Sequence, residues 1–187
     1  MDVMSLDVAI DAPPITYAEY VASPETTQPV EVVDGRTIVN PNPANPHQYA
    51  SARLAQILGA AAVASDLCVL VPSGDWVLRR DPLLVRQPDV VVVTREQARA
   101  RWLESPPVLA VEVLSPGSRE RDLVAKRREY AEAGLGWYWL VALEAPQALV
   151  LRNDGGTFVE AASARGNGRL VVAEPFAVDL SPSDLVV

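Results

Sequence analysis

Two acidic side chains stand inside apolar segments of this sequence. Glu112 lies in the run 108–114, with Ala110 and Leu114 on its own side of a strand, and Asp89 precedes four consecutive valines. A carboxylate in a strand that is buried on both faces needs a charged partner, a proton or a bound cation. Hard divalent ions prefer carboxylate oxygens, so the two acids raise the hypothesis of a Mg²⁺ site. The alternative is that each acid pairs with an arginine or caps a backbone amide.

The choice of cations points to a third residue. Lys126 is the only lysine among the 16 Lys and Arg residues of the chain. It follows the Glu112 strand on a charged helix, with Asp122 and Glu129 on the same side by helical spacing. An ordinary exposed pair with Asp122 would explain it, but arginine would serve there equally well. A compact ammonium suits a tight phosphate or water site that a planar guanidinium does not fit.

The elements that position these residues alternate between helical and strand patterns, which favours an α/β fold with a mixed sheet. Thr16 caps a short first helix, Asp34-Gly35 turns a hairpin, and Asn45 with Pro46 starts a longer helix. Its stripe of Ala50, Leu54, Ile57, Leu58 and Ala61 would pack on the sheet. The predicted helices are 17–21, 47–63, 95–102 and 119–133, and the predicted strands are 31–39 (the hairpin), 67–71, 76–78, 88–93, 108–114, 137–143, 149–152, 157–161, 170–173 and 176–178.

Length and composition limit the class of protein. The 187 residues, 49% of them hydrophobic, predict one folded domain over 1–187 with a loose lead-in at 1–14. A single cysteine, Cys68, excludes a disulfide framework and a multi-cysteine zinc site. No apolar run reaches the ~18–20 residues of a membrane span, and the acidic start has no basic signal-peptide region. We therefore expect a cytoplasmic protein without membrane contact.

The formal net charge of −8 argues against binding to nucleic acid through a global positive field. A local basic lip is still compatible with this charge, although the same arginines could equally form a solvated helix face. The apolar β-rich tail suggests a homodimer. The candidate lip residues are Arg119, Arg121, Arg127 and Arg128.

Several motifs together resemble the Uma2 family, formerly a domain of unknown function, in the PD-(D/E)xK restriction-endonuclease-like superfamily. The resemblance covers about residues 15–153 in consistent order, including the early hairpin and His47. Its motifs are Arg86-Gln-Pro-Asp89 with the valine run, Val111-Glu112-Val-Leu-Ser-Pro-Gly-Ser118, Arg121-Asp122-Leu-Val-Ala-Lys126-Arg-Arg-Glu-Tyr130 and Trp137-Tyr-Trp-Leu-Val141.

The resemblance implies a four-stranded mixed sheet flanked by helices, with additional β-hairpins, and a Mg²⁺- or Mn²⁺-dependent endonuclease that cleaves DNA. By motif match, Asp89 and Glu112 would hold the metal and Lys126 would position water and stabilise charge. Glu31 would add a metal or water contact. His47 would touch the site or the phosphate, with capping or packing of a helix start as its alternative.

The sequence also departs from the superfamily pattern. Leu114 stands where the E-x-K lysine is expected, and Lys126 is the relocated lysine usual in this family. Trp137 and Ala142 replace acids that are common there. The alternative class of function is a non-catalytic module that keeps the nuclease fold for binding or regulation.

Overall fold

The computed structural model describes residues 13–24, 28–115 and 121–187. Three α-helices, a π-helical segment and two short 3₁₀ helices accompany twelve strands in this part of the chain. The helices are α1 (Tyr17–Ala22), α2 (Asn45–Ala64) and α3 (Arg127–Glu132), with the π-helical segment at Arg121–Lys126 and 3₁₀ helices at Gln97–Arg99 and Pro182–Leu185. The strands are β1 (Val30–Val33), β2 (Arg36–Val39), β3 (Leu67–Leu70), β4 (Trp76–Arg80), β5 (Leu83–Arg86), β6 (Val90–Thr94), β7 (Leu109–Leu114), β8 (Trp137–Ala142), β9 (Gln147–Asp154), β10 (Thr157–Arg165), β11 (Leu170–Val172) and β12 (Val178–Leu180).

A six-stranded mixed sheet in the order β10-β9-β8-β7-β6-β3 forms the centre of the molecule. The connection between β7 and β8 crosses over through the helical segment, and these two strands pair in parallel. The other neighbours in the sheet are antiparallel. The expected number of four strands is too small, because the β9–β10 hairpin continues the sheet beyond β8.

Both faces of the central sheet are buried. Val90 and Val92 contribute to the core under α2, whereas Val91 and Val93 contribute to the core on the opposite face, beside α3. Burial on both sides explains why this strand reads as a continuous β-branched run instead of an alternating one. It also means that an acid in β7 is enclosed whichever face it takes.

Helix α2 packs on one face with the predicted stripe. Ala50, Leu54 and Leu58 are fully buried, and Ile57 and Ala61 pack against them. The prediction that Asn45 is the N-cap is wrong, because Asn45 is the first residue of the helix and Ala44 is the cap, without a side-chain cap bond. Pro46 still lies in the first turn, where its missing N–H costs nothing.

A second sheet in the order β2-β1-β5-β4 packs beside the first. Its β1–β2 hairpin turns through Asp34 and Gly35, both at positive φ, as the Asp-Gly prediction required. The sequence pattern predicts no strand at β5, because a run of four residues, 83–86, is too short to show a period. The predicted helix 95–102 is a single 3₁₀ turn, Gln97–Arg99.

The charged helix predicted for 119–133 consists of the π-helical segment followed by α3, and residues 116–120 lie outside the described ranges. Gly134 at φ +84 ends it, as expected. Within 13–24, 28–115 and 121–187, no helix combines the length and hydropathy that a membrane crossing requires.

Candidate active site

Asp89 and Glu112 meet at one end of the β6–β7 pair. The register pairs Val90 with Val111, so Asp89, one residue before β6, stands opposite Glu112. The Oδ2 atom of Asp89 accepts a hydrogen bond from the backbone N–H of Val113 at 2.7 Å. The Asp89 side chain is 23% exposed, so this end of the strand pair is open to solvent.

Glu112 is held on the α3 side of the sheet by two side chains from the following helix. The Nζ atom of Lys126 donates to Oε1 of Glu112 at 2.7 Å, and the Tyr130 hydroxyl donates to the same oxygen at 2.8 Å. Glu112 and Lys126 are both almost completely buried. Lys126 therefore points back to the strand end as expected, and the exposed-pair explanation does not describe it.

Burial strongly raises the pKa of Tyr130, and the nearby charge of Glu112 raises it further. The phenol consequently stays protonated and remains a donor to Glu112. Glu112 is thus a buried acid with a charged partner and a second hydrogen-bond donor, as its place in an apolar strand requires.

Glu31 enters the same site from the first hairpin. Its side chain is fully buried, and its Oε1 atom lies 3.4 Å from Nζ of Lys126. The backbone N–H of Gln87 donates to that oxygen at 3.2 Å. Arg86 donates from Nη1 to Oε2 of Glu31 at 3.0 Å. The lysine therefore lies between acids from two different sheets.

Arg86 also forms a bidentate pair with Glu129 on α3. Its Nε and Nη2 atoms donate to the two Glu129 oxygens at 2.8 and 2.9 Å. Burial lowers the pKa of Arg86, but the hydrogen bonds to Glu129 and the charge of Glu31 raise it more, so the net shift is upward. The guanidinium is therefore a permanent cation inside the protein.

His47 reaches the site from the first turn of α2. Its Nε2 atom lies 3.1 Å from Oδ2 of Asp89. The histidine thus contacts an acidic residue of the site as well as packing at a helix start.

The structure brings together Asp89, Glu112, Lys126, Glu31 and His47. It does not support a basic lip in the described region. Arg127 donates to the Phe158 carbonyl, and Arg128 lies exposed near Glu132. Arg119 and the side chains of Arg121 and Asp122 fall outside the described part.

Sequence reasoning missed Arg86, Glu129 and Tyr130 as members of the site. All three stand in the quoted motifs, and the last two follow Lys126 at helical spacings of three and four residues. That spacing places Glu129 on the same side of the helix as Lys126, but it does not show which strand or which arginine the side chains of this helix reach.

A divalent cation fits the chemistry of this site in part. Among the described residues, no group of three or more His, Cys, Asp and Glu side chains is arranged to hold a metal. Mg²⁺, however, commonly uses only one or two protein carboxylates, with water and phosphate completing its ligands. Both contacts of Asp89 use Oδ2, and Oδ1 accepts no hydrogen bond from a described residue.

The mixed central sheet with few helices and additional hairpins is a restriction-endonuclease-like α/β fold. Residues 17–185 match the model of the Uma2 family, described as "Putative restriction endonuclease", and the chain therefore belongs to the Uma2 family.

A solved structure supports the fold. The chain is similar to a crystal structure titled as a "putative nuclease belonging to DUF820" from Anabaena variabilis, with a TM-score of 0.74 and 20% identity. The similarity covers 92% of this chain and 97% of that one. No curated protein matches the chain.

Proposed function

We propose that this protein is a metal-dependent endonuclease that hydrolyses phosphodiester bonds of DNA. The observation that carries the proposal is the burial of the only lysine, Lys126, between Glu112 and Glu31 at the strand end where Asp89 is partly exposed. Lysine is almost never fully buried unless it is paired, and here the pairing holds the ammonium beside Glu112, one of the two acids proposed to bind the metal.

The position of the two acids favours a divalent cation. Asp89 and Glu112 stand opposite each other at one end of the β6–β7 pair, and carboxylate oxygens are the ligands that hard divalent ions prefer.

Each residue has a distinct role in this proposal. Asp89 and Glu112 would hold Mg²⁺ or Mn²⁺, which when bound supplies polarisation of the phosphate and a more acidic water. Lys126 stabilises the negative charge that develops on the phosphate. His47 orients Asp89 through Oδ2, and Glu31 holds the lysine from the side opposite Glu112.

A non-catalytic nuclease-fold module is the second candidate. Oε1 of Glu112 already receives hydrogen bonds from Lys126 and Tyr130, as a purely structural network would arrange. If the network is only structural, the protein would retain the fold for binding or regulation.

Calorimetric titration with Mg²⁺ and Mn²⁺ separates the two candidates. We expect binding in the wild type, weaker binding in Asp89→Asn, and unchanged binding in Asp179→Asn, an exposed control on β12. No binding at millimolar metal would refute the nuclease proposal.

Cleavage of plasmid DNA with and without metal tests the activity itself. Lys126→Arg keeps the charge but changes its shape, and we expect the rate to fall by about 10²–10³-fold, as for loss of one charge-stabilising group. Wild-type cleavage by this variant would remove Lys126 from the catalytic machinery.

A further inference from the structure

Arg86 joins two elements that would otherwise be separate. It is the last residue of β5 and is 2% exposed. Its guanidinium donates to Glu31 on β1 and, through two parallel bonds, to Glu129 on α3. A planar guanidinium can donate hydrogen bonds to two carboxylates in fixed directions, which an ammonium cannot do.

The two carboxylates that Arg86 bonds, Glu31 and Glu129, both help to position Lys126. Glu31 turns one oxygen to Arg86 and the other towards the lysine ammonium, 3.4 Å away. Glu129 follows Lys126 by three residues, one helical turn further on. Arg86 thus holds the helix that bears the lysine and also one of the acids that face it.

The helix at this point has an irregular backbone. The π-helical segment ends at Lys126, and regular α-helix begins at Arg127. π-helical turns are rare and are frequently found at functional sites. The bidentate bond to Glu129 anchors the first α-helical turn after this change, where a shift in helical phase would move the lysine away from Glu112.

We propose that Arg86 and Glu129 form a positioning pair that fixes Lys126 Nζ between Glu112 and Glu31 without touching the substrate. This inference rests on the proposed nuclease function for its catalytic consequence, but its structural part can be tested without any activity. Because Lys126 is the only lysine, its side-chain amine can be followed individually in the intact protein.

The first measurement is the rate at which an amine-acylating reagent modifies Lys126, with peptide mass spectrometry to distinguish it from the α-amine. The variants are Arg86→Gln and Glu129→Gln, neither of which adds an amine. We expect acylation of Lys126 to be at least about 10-fold faster than in the wild type, because the buried amine opens more often to solvent.

Arg79→Gln is the matched control. Arg79 lies on the neighbouring strand β4 and forms an exposed pair with Asp34. We expect its acylation rate to equal that of the wild type. Unchanged protection of Lys126 in a folded Arg86→Gln or Glu129→Gln variant would overturn the proposal.

Circular dichroism first establishes that each variant folds. If Arg86→Gln does not fold, Glu129→Gln decides, since it keeps the Arg86–Glu31 contact and changes only one partly exposed carboxylate. Loss of the fold in both variants would also overturn the proposal, because the pair would then stabilise the whole domain instead of positioning one lysine.

The second measurement is DNA cleavage. A positioning pair predicts that kcat falls by about 10–100-fold with little change in KM, as is typical when a supporting partner of a site is lost. Equal effects on kcat and KM would contradict it. If the wild type does not cleave DNA but the acylation rates change as expected, the proposed nuclease function fails and the positioning of Lys126 by Arg86 stands.

Discussion

The interaction between Lys126 and Glu112 can be measured by a double-mutant cycle with Lys126→Met and Glu112→Gln. Both side chains are nearly inaccessible to water, and their charged atoms are 2.7 Å apart. Each single substitution removes one charge of the pair and leaves the other buried. The double variant removes both charges and leaves an amide that still accepts from the Tyr130 hydroxyl.

The magnitude follows from the contacts. Removing one partner of a buried pair costs about 3–5 kcal/mol. Lys126→Met belongs near the top of that range, because Glu112 then keeps only Tyr130 among these donors. Glu112→Gln should lower the free energy of unfolding by ~3 kcal/mol, because Glu31 still lies 3.4 Å from Nζ of Lys126. The double variant should lie within ~1–2 kcal/mol of the wild type, since replacing a whole buried pair is often close to neutral.

Urea unfolding followed by tryptophan fluorescence measures the four free energies. Trp76 reports on the site, because its ring centroid lies 5.0 Å from that of Tyr130. The single losses of about 5 and 3 kcal/mol, against ~1–2 kcal/mol in the double variant, give an expected coupling free energy of about 6–7 kcal/mol, well above that of most contacting residues. The exposed pair of Arg169 and Asp179 is the control, and its coupling should not exceed experimental error. Additive losses from the two site substitutions would refute the ion pair.

Three further predictions concern the pH dependence and two glycines. The pKa of Tyr130 lies above its unfolded value of 10.0 because of burial and the charge of Glu112, so stability should fall as pH rises above 10, by up to ~1.4 kcal/mol per pH unit. Tyr130→Phe should give a shallower alkaline loss in unfolding titrations between pH 9 and ~11, and an unchanged slope would contradict the burial argument. Gly35→Ala should lower the free energy of unfolding by about 1–3 kcal/mol, because φ is +76° and the added Cβ would lie 2.6 Å from Cβ of Pro14. Gly59 lies in the middle of α2, and nothing lies within 4 Å of the Cβ that alanine would add there. Gly59→Ala should therefore raise the free energy of unfolding by about 0.5–1 kcal/mol in the same assay. A loss of stability would contradict the open space around this position.

Features that depend on local chemistry could be predicted from the sequence. The Asp34-Gly35 turn, the α2 stripe and the double-sided burial of β6 follow from backbone preference and hydrophobic period, which act over a few residues. Lys126 was identified because an arginine-rich sequence uses a single lysine. Several motifs together indicate the Uma2 family, and the match of residues 17–185 to the family model confirms it.

Local sequence patterns did not predict the elements that depend on contacts with distant parts of the chain. Strand β5 has no period of its own and exists because β1 and β4 supply its hydrogen-bonding partners. The helix around Lys126 reads as one amphipathic segment, and the change from π-helix to α-helix is not visible in its residue types.

The sequence alone determined which residue types are available for the site, because a carboxylate in an apolar strand and a unique lysine stand out against their surroundings. Tertiary structure alone decided their partners. Arg86 meets Glu129 across 43 residues and Glu31 across 55 residues of chain, and Lys126 turns to Glu112 instead of a neighbour on its own helix. The physical reason is that a buried charge must find its counter-charge within a few ångströms in space, and the packing of the two sheets against the helix sets which carboxylates lie within that distance.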